Sequence, residues 1–168
     1  MLAVEPEPYL RRHAERAAAA APVPIRVVAA RAESLPAADG SFDAGVVSLV
    51  LCSVAEPDRA LRELHRVVRP GGELRAFEHV RSGHPLGARV QDALDPVWSR
   101  LAGGCHAGRD TTAAIVEAGF RLEDLRRFRF PPGVPTPTTP HVRVRARRPP
   151  TTVAAQPGST VPVTSAGA

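Results

Sequence analysis

The sequence has 168 residues, enough for one domain around a single core, and its hydrophobic content of 43% is mostly Ala, Val and Leu, with aromatics at 4%. The formal charge of +5 rests on 22 basic residues, all arginine and interleaved with acids, so a solvated basic surface is expected and a nucleic-acid partner is not. Two cysteines outside any CxxC spacing exclude a disulfide framework, no apolar stretch approaches the roughly 20 residues of a membrane span, and early acids and prolines exclude a signal peptide, which together predict a cytoplasmic protein with no membrane association.

In chain order, Leu2, Ala3 and Val4 read as the end of a strand closed by Glu5, with Pro8 near a helix start. Residues 9–21 read as a helix with an alanine-rich end, broken by Pro22 and Pro24. Residues 25–30 are a β-branched run, the next strand, and Asp39-Gly40 marks a turn. The stretch SFDAGVVSLVLCSVAEPDRALRELHRVVRPGG organises the centre of the chain. Its apolar run over 44–52 predicts a strand buried on both faces. Residues 57–68 follow with Ala60, Leu61, Leu64, Val67 and Val68 at helical spacing and arginines opposite them. Pro57 suits a helix start, and Pro70-Gly71-Gly72 is expected to stop it.

Residues 74–80 predict another strand, ending in Glu78-His79, and 82–87 a loop. Val90, Leu94, Val97, Trp98 and Leu101 mark a helix interrupted at Pro96, and 111–118 a second helix closed by Gly119. Residues 120–130 alternate as an exposed or late strand would, 131–140 form a proline-rich loop, and 141–147 are expected as an edge strand. From 148 onward the chain is Pro, Thr, Ser and Gly without periodicity, a disordered tail.

This alternation argues for an α/β parallel sheet with helices on both faces. Ligands of such sheets bind beyond the carboxyl ends of the strands, which gathers Glu5, Ala32-Glu33, Ser48-Leu49 and Glu78-His79 around one cleft. An acid after an early strand suits a ribose, although a solvated acid fits Glu5 as well. Glu33 follows the next strand, where a nucleotide base would lie, although by itself it reads first as an ordinary loop carboxylate. His79 beside Glu78 could take a proton from a substrate or simply be hydrogen-bonded. The histidines and cysteines show no metal-ligand spacing, so no metal site is expected.

From the Leu35-Pro36 pair through the Phe42-Asp43 pair, the buried strand and the Leu-x-Glu-x-x-Arg-Val-x-Arg-Pro-Gly-Gly helix end, residues 32–80 resemble the central part of a class I S-adenosylmethionine-dependent methyltransferase, of the type 11 domain. The LVLCSV run, Glu78-His79-Val80 and QDALDPVWSRLAGGC are similar to methyltransferase-like thiol methyltransferases. The resemblance implies a Rossmann-like sheet with a helical lid over residues 90–105 and a C-terminal antiparallel strand pair. Residues 1–147 would be a partial methyltransferase domain and 148–168 the tail. It implies S-adenosylmethionine as cofactor, with Glu5 holding the ribose, Ala32 and Glu33 at the adenine, and Ser48 and Leu49 along the methionine side. Glu78 and His79 are the base candidates toward a small-molecule acceptor, a thiol or a hydroxyl. The family's first strand and Gly-rich turn precede the ribose acid and have no counterpart here. The expectation is therefore an N-terminally truncated domain whose activity as a single chain is open, with a non-catalytic binding or dimerisation module as the alternative. The oligomeric state is not specified.

Overall fold

The apolar runs and the helical spacings both form the elements their periods call for. The structure is a computed structural model and describes residues 1–131 and 140–151. In chain order it contains β1 (Leu2–Val4), α1 (Pro8–Ala19), β2 (Arg26–Val28), β3 (Phe42–Ser48), α2 (Pro57–Val67), β4 (Val68–His79), α3 (Pro85–Leu101), α4 (Thr111–Glu117), β5 (Arg121–Arg129) and β6 (Pro140–Arg147). β1 and β2 pair in parallel as a two-stranded sheet, and a four-stranded sheet runs in the order β3-β4-β6-β5. In the latter, β3 and β4 are parallel, while β4-β6 and β6-β5 are antiparallel. The C-terminal strand pair is thus antiparallel. β1 and β3 each keep one edge without a partner strand among the described residues.

Several expectations are corrected. The 141–147 strand is not an edge, since β6 lies between β4 and β5 and β5 is the outer strand. Alternation reports which face of a strand is covered, and Val142, Val144 and Ala146 are indeed covered, but it says nothing about pairing. Nor is β3 buried on both faces. Val47 faces the core at 6% exposure whereas Val46 is 71% exposed. The strand also stops at Ser48, so Leu51 and Cys52 reach the interior from a loop. α3 begins at Pro85, inside the expected loop over 82–87, because a proline at the first helical position gives up an N–H that has no intrahelical partner anyway.

The core lies on one face of the four-stranded sheet. Val47, Leu74, Ala76, Val142, Val144 and Ala146 meet Ala60, Leu61 and Leu64 of α2 and Ile115 of α4. The opposite face leaves Val46, Arg75, Arg143 and Arg145 exposed, so among the described residues it lacks the helical cover expected on both sides. On α3 the large residues Leu86, Val90, Leu94, Val97 and Leu101 are all exposed, at intervals of three and four that align them along the helix.

α2 leads straight into β4 rather than being stopped by Pro70-Gly71-Gly72. Phe42 pairs with Val68 and Ala44 with Glu73, so residues 69–72 are the extra length of a bulge. Gly71 adopts φ +77°. Arg148, expected to begin the tail, belongs to the fold. Its guanidinium donates to the carbonyls of His65 (2.6 Å), Arg66 (3.2 Å) and Val68 (2.7 Å) at the end of α2. Beyond residue 151 the expected tail lies outside the described residues, as does most of the proline-rich loop, 132–139.

The loop between β2 and β3 is tied to α2 by Glu63 and Arg66. Glu63 Oε2 accepts the Leu35 N–H at 2.8 Å, and Arg66 donates to Glu63, Asp39 and the carbonyls of Leu35 and Ala37. Arg66 beside it pulls the Glu63 carboxyl down to about 2 from an ordinary value of 4.5. A lowered folded value stabilises above 4.5, and that contribution is lost as pH falls toward 2. Glu63→Gln is therefore expected to lose about 1–2 kcal/mol at neutral pH and almost nothing near the acid end of that window. Urea midpoints across the range measure this, and a gap that does not close on acidification contradicts it.

Candidate functional site

The carboxyl ends of the strands bring two groups of candidate residues to light. Glu5 follows β1, and its N–H donates to the Val28 carbonyl at 3.1 Å. Its Oε1 accepts the Glu7 N–H at 2.9 Å, which fixes the carboxylate and leaves Oε2 without a hydrogen bond among the described residues. Glu33 follows β2 in a tight turn closed by the Arg31–Ser34 bridge. It is only 8% exposed, with Arg31 Nε 3.7 Å from its Oε2. Ala32 packs against the core.

The second group is on the four-stranded sheet. Ser48 ends β3, opposite Phe77. Leu49 has φ +55°, a left-handed conformation that costs a non-glycine residue about 1–2 kcal/mol. It is held there because its N–H donates to the Phe77 carbonyl at 2.8 Å. The loop that follows is then gripped by Glu78, which is fully buried. Glu78 Oε1 accepts the N–H groups of Val50 (2.9 Å) and Leu51 (3.1 Å), and Oε2 that of Cys52 (3.2 Å). Arg109 takes the other polarity, donating to the carbonyls of Leu51 and Val54, each at 2.8 Å. One carboxylate and one guanidinium thus satisfy both donors and acceptors of a buried loop that has no secondary-structure partner.

Burial pushes the Glu78 carboxyl above the ordinary value, and the three N–H groups offset only part of that. Its linkage sign is therefore opposite to that of Glu63: the contribution is complete below 4.5 and declines as pH rises through the higher folded value.

His79, the next residue, has its Nδ1 3.5 Å from Cys52 Sγ and 3.3 Å from Cys105 Sγ. Both thiols are buried. The two share hydrogen bonding unequally. The contact with Cys105 and burial push the Cys52 thiol up, while the Cys52 hydrogen bond and the nearby Trp98 indole bring Cys105 down. Cys105 is delivered by Gly103 and Gly104, both at positive φ, and the His106 N–H donates to the Cys52 carbonyl at 2.7 Å.

Ser48, Leu49, Glu78 and His79 therefore converge, joined through neighbouring residues of β3 and β4. Glu5 and Glu33 sit on the two-stranded sheet, and no hydrogen bond or ion pair among the described residues links them directly to that group. The roles of Arg109 and of the Cys52–His79–Cys105 cluster were not accessible from spacing, because their partners lie some 26 to 58 positions away. A concavity of about 670 Å³ lined by Met1, Pro22, Ile25 and neighbours opens at the amino ends of β1 and β2, away from the strand ends where ligands of such sheets bind.

Residues 1–76 match a methyltransferase domain family. The rat thiol S-methyltransferase TMT1B is 39% identical over 112 residues, which is 65% of this chain and 45% of that protein. Human thiol S-methyltransferase TMT1A is 41% identical over 106 residues, 62% of this chain and 43% of the relative. The chain spans about half the length of the curated relatives it matches. In structure it is similar to an S-adenosylmethionine-dependent methyltransferase of Methanosarcina mazei (TM-score 0.68, 18% identity, 89% of this chain and 82% of that one). It is also similar to the N-methyltransferase NodS of Bradyrhizobium japonicum in complex with S-adenosyl-L-homocysteine (TM-score 0.63, 17% identity, 88% and 66%).

Proposed function

We propose that this chain, whose residues 1–76 match a methyltransferase domain family, is a class I S-adenosylmethionine-dependent methyltransferase domain and contributes to methyl transfer from that cofactor to a small thiol. The observation that carries the reading is the turn after Ser48, where Leu49 is held in a left-handed conformation at the carboxyl end of β3. Strain of this kind persists where a site over-determines it. The identity to thiol S-methyltransferases supports the choice of acceptor. In this reading the free Oε2 of Glu5 receives a ribose hydroxyl, Ala32 and Glu33 border the adenine, and Ser48 and Leu49 line the methionine. The sulfonium supplies its own activation, so alignment of the acceptor is the main demand on the protein. A thiol with a pKa of about 8.5 needs little basic help. His79 is the candidate to receive its proton, and Glu78 acts by fixing the loop beside it. The exposed apolar line of α3 supports its role as an acceptor-side lid. Among the described residues no helix is long and apolar enough to cross a membrane.

The unpaired edges of β1 and β3 favour a second reading, in which this chain alone holds only part of the cofactor site and acts as a non-catalytic binding or dimerisation module. Calorimetric titration with S-adenosylmethionine, beside transfer of a labelled methyl group to small thiols and alcohols, separates the two. Thiol methylation, with cofactor affinity weakened about tenfold or more in Glu5→Ala by loss of a charge-assisted hydrogen bond, supports the first reading. A folded chain that neither binds nor methylates supports the second.

A further inference from the structure

Cys52 and Cys105, which flank His79 at the tip of β4, have no part in the methyl-transfer reading. We propose that Cys52, His79 and Cys105 form a three-ligand site for a thiophilic divalent cation, with zinc(II) the best fit.

The argument is geometric. Each residue presents one ligand atom, and the three atoms all lie within 4.8 Å of one another. A tetrahedral zinc bonded to sulfur at about 2.3 Å and to imidazole nitrogen at about 2.0–2.1 Å separates an N ligand from an S ligand by about 3.5 Å. The observed Nδ1–Sγ distances are 3.5 Å to Cys52 and 3.3 Å to Cys105, close to that separation. Soft thiolates with one imidazole select zinc over magnesium or calcium, which take oxygen ligands.

The three ligands come from three segments held in place independently. Cys52 is on the loop gripped by Glu78 and Arg109, and its carbonyl accepts the His106 N–H. His79 ends a paired strand, opposite His141. Cys105 follows Gly104, which sits at φ +85° and where an added Cβ would come 3.2 Å from the Ser53 carbonyl oxygen, so a side chain there would be strained and would push the loop back by a few tenths of an ångström. The indole N–H of Trp98 is buried and meets no acceptor at hydrogen-bond distance among the described residues. Both cysteines are buried while His79 is partly exposed. On binding, two S–H protons leave to solvent as two metal–sulfur bonds form, and nothing is oxidised or reduced.

The test reads metal rather than catalysis, so it stands apart from the methyltransferase reading. The full chain, reduced and stripped with a chelator, is titrated with cobalt(II) as a spectroscopic probe and with zinc(II) against a chromophoric chelator. One equivalent is expected to bind with thiolate-to-cobalt charge-transfer absorption. Cys52→Ser and Cys105→Ser, each checked for an unchanged circular dichroism spectrum, are expected to lose that absorption and weaken zinc binding by about 100-fold or more, the upper end of what outer partners alone contribute. X-ray absorption of the zinc form is expected to show two sulfurs at about 2.3 Å and one nitrogen at about 2.0 Å. Absence of the charge-transfer band in the wild-type chain overturns the proposal whatever the variants do, and so does a zinc shell without sulfur.

Discussion

Glu78→Ala is expected to destabilise the protein by about 4 kcal/mol. The carboxylate is the sole side-chain partner shown for the N–H groups of Val50, Leu51 and Cys52, and Leu51 and Cys52 are buried at 1% and 0% exposure. A buried donor left without an acceptor costs about 1–3 kcal/mol, and the alanine also leaves a void. Against this stands the relief of removing a carboxylate whose ionisation burial already disfavours. The donors win because there are three of them and the relief is one desolvation already offset in part by those same bonds. Glu78→Gln keeps the shape and one oxygen, so it is expected to cost about half as much, with its amide N–H₂ turned against the Cys52 N–H. Urea unfolding measures both. A Glu78→Ala variant within about 1 kcal/mol of the wild type would falsify the idea that this carboxylate holds the loop.

Gly72→Ala is expected to cost about 3 kcal/mol, and for a reason unlike that of its neighbour. Gly71 has φ +77° with open space around its Cβ position, so it serves the turn. A Cβ on Gly72 would sit 2.6 Å from Val68 Cγ1, 2.8 Å from the Arg69 carbonyl oxygen and 2.8 Å from that of Asp43. Two of the three obstacles are backbone, and the Asp43 oxygen belongs to β3, so the strain must be relieved by parting β3 from the start of β4. Overpacking usually costs about 1–3 kcal/mol, and a backbone obstacle puts this case at the top of that range. Gly71→Ala meets only the conformational penalty of about 1–2 kcal/mol. Thermal unfolding of the two variants side by side checks the order, and a milder effect at residue 72 than at 71 rules the argument out.

Local chemistry made much of this fold readable. Pro57 at the start of α2 and its apolar spacing fixed that helix within a residue of its observed bounds, and Val4-Glu5 located the end of β1. What failed to read were properties that exist only between distant segments. The Val142-Val144-Ala146 alternation is the same whether a strand has one neighbour or two. The exposure of Val46 depends on what lies above the sheet, not on the apolar run that contains it. Glu78 and His79 stood out as neighbours of opposite polarity at a strand end, but sequence assigned them one shared chemistry. Their side chains leave the strand on opposite sides, as successive residues must, and so Glu78 turns to the amides of a loop while His79 turns to two sulfurs. Cys52 looked like a small core residue and is buried as one.

The grip of Glu78 on residues 50–52 also has a mechanical meaning. The left-handed Leu49 at one end of that segment and Cys52 at the other are fastened to adjacent positions of one strand, the first through the Phe77 carbonyl and the second through the Glu78 carboxylate. Strand tip and loop therefore behave as a single stiff lever with no slack joint between the Leu49 end and the thiol end. A ligand at the Leu49 end is expected to shift the affinity for one at the Cys52 end, and by the same factor in both directions.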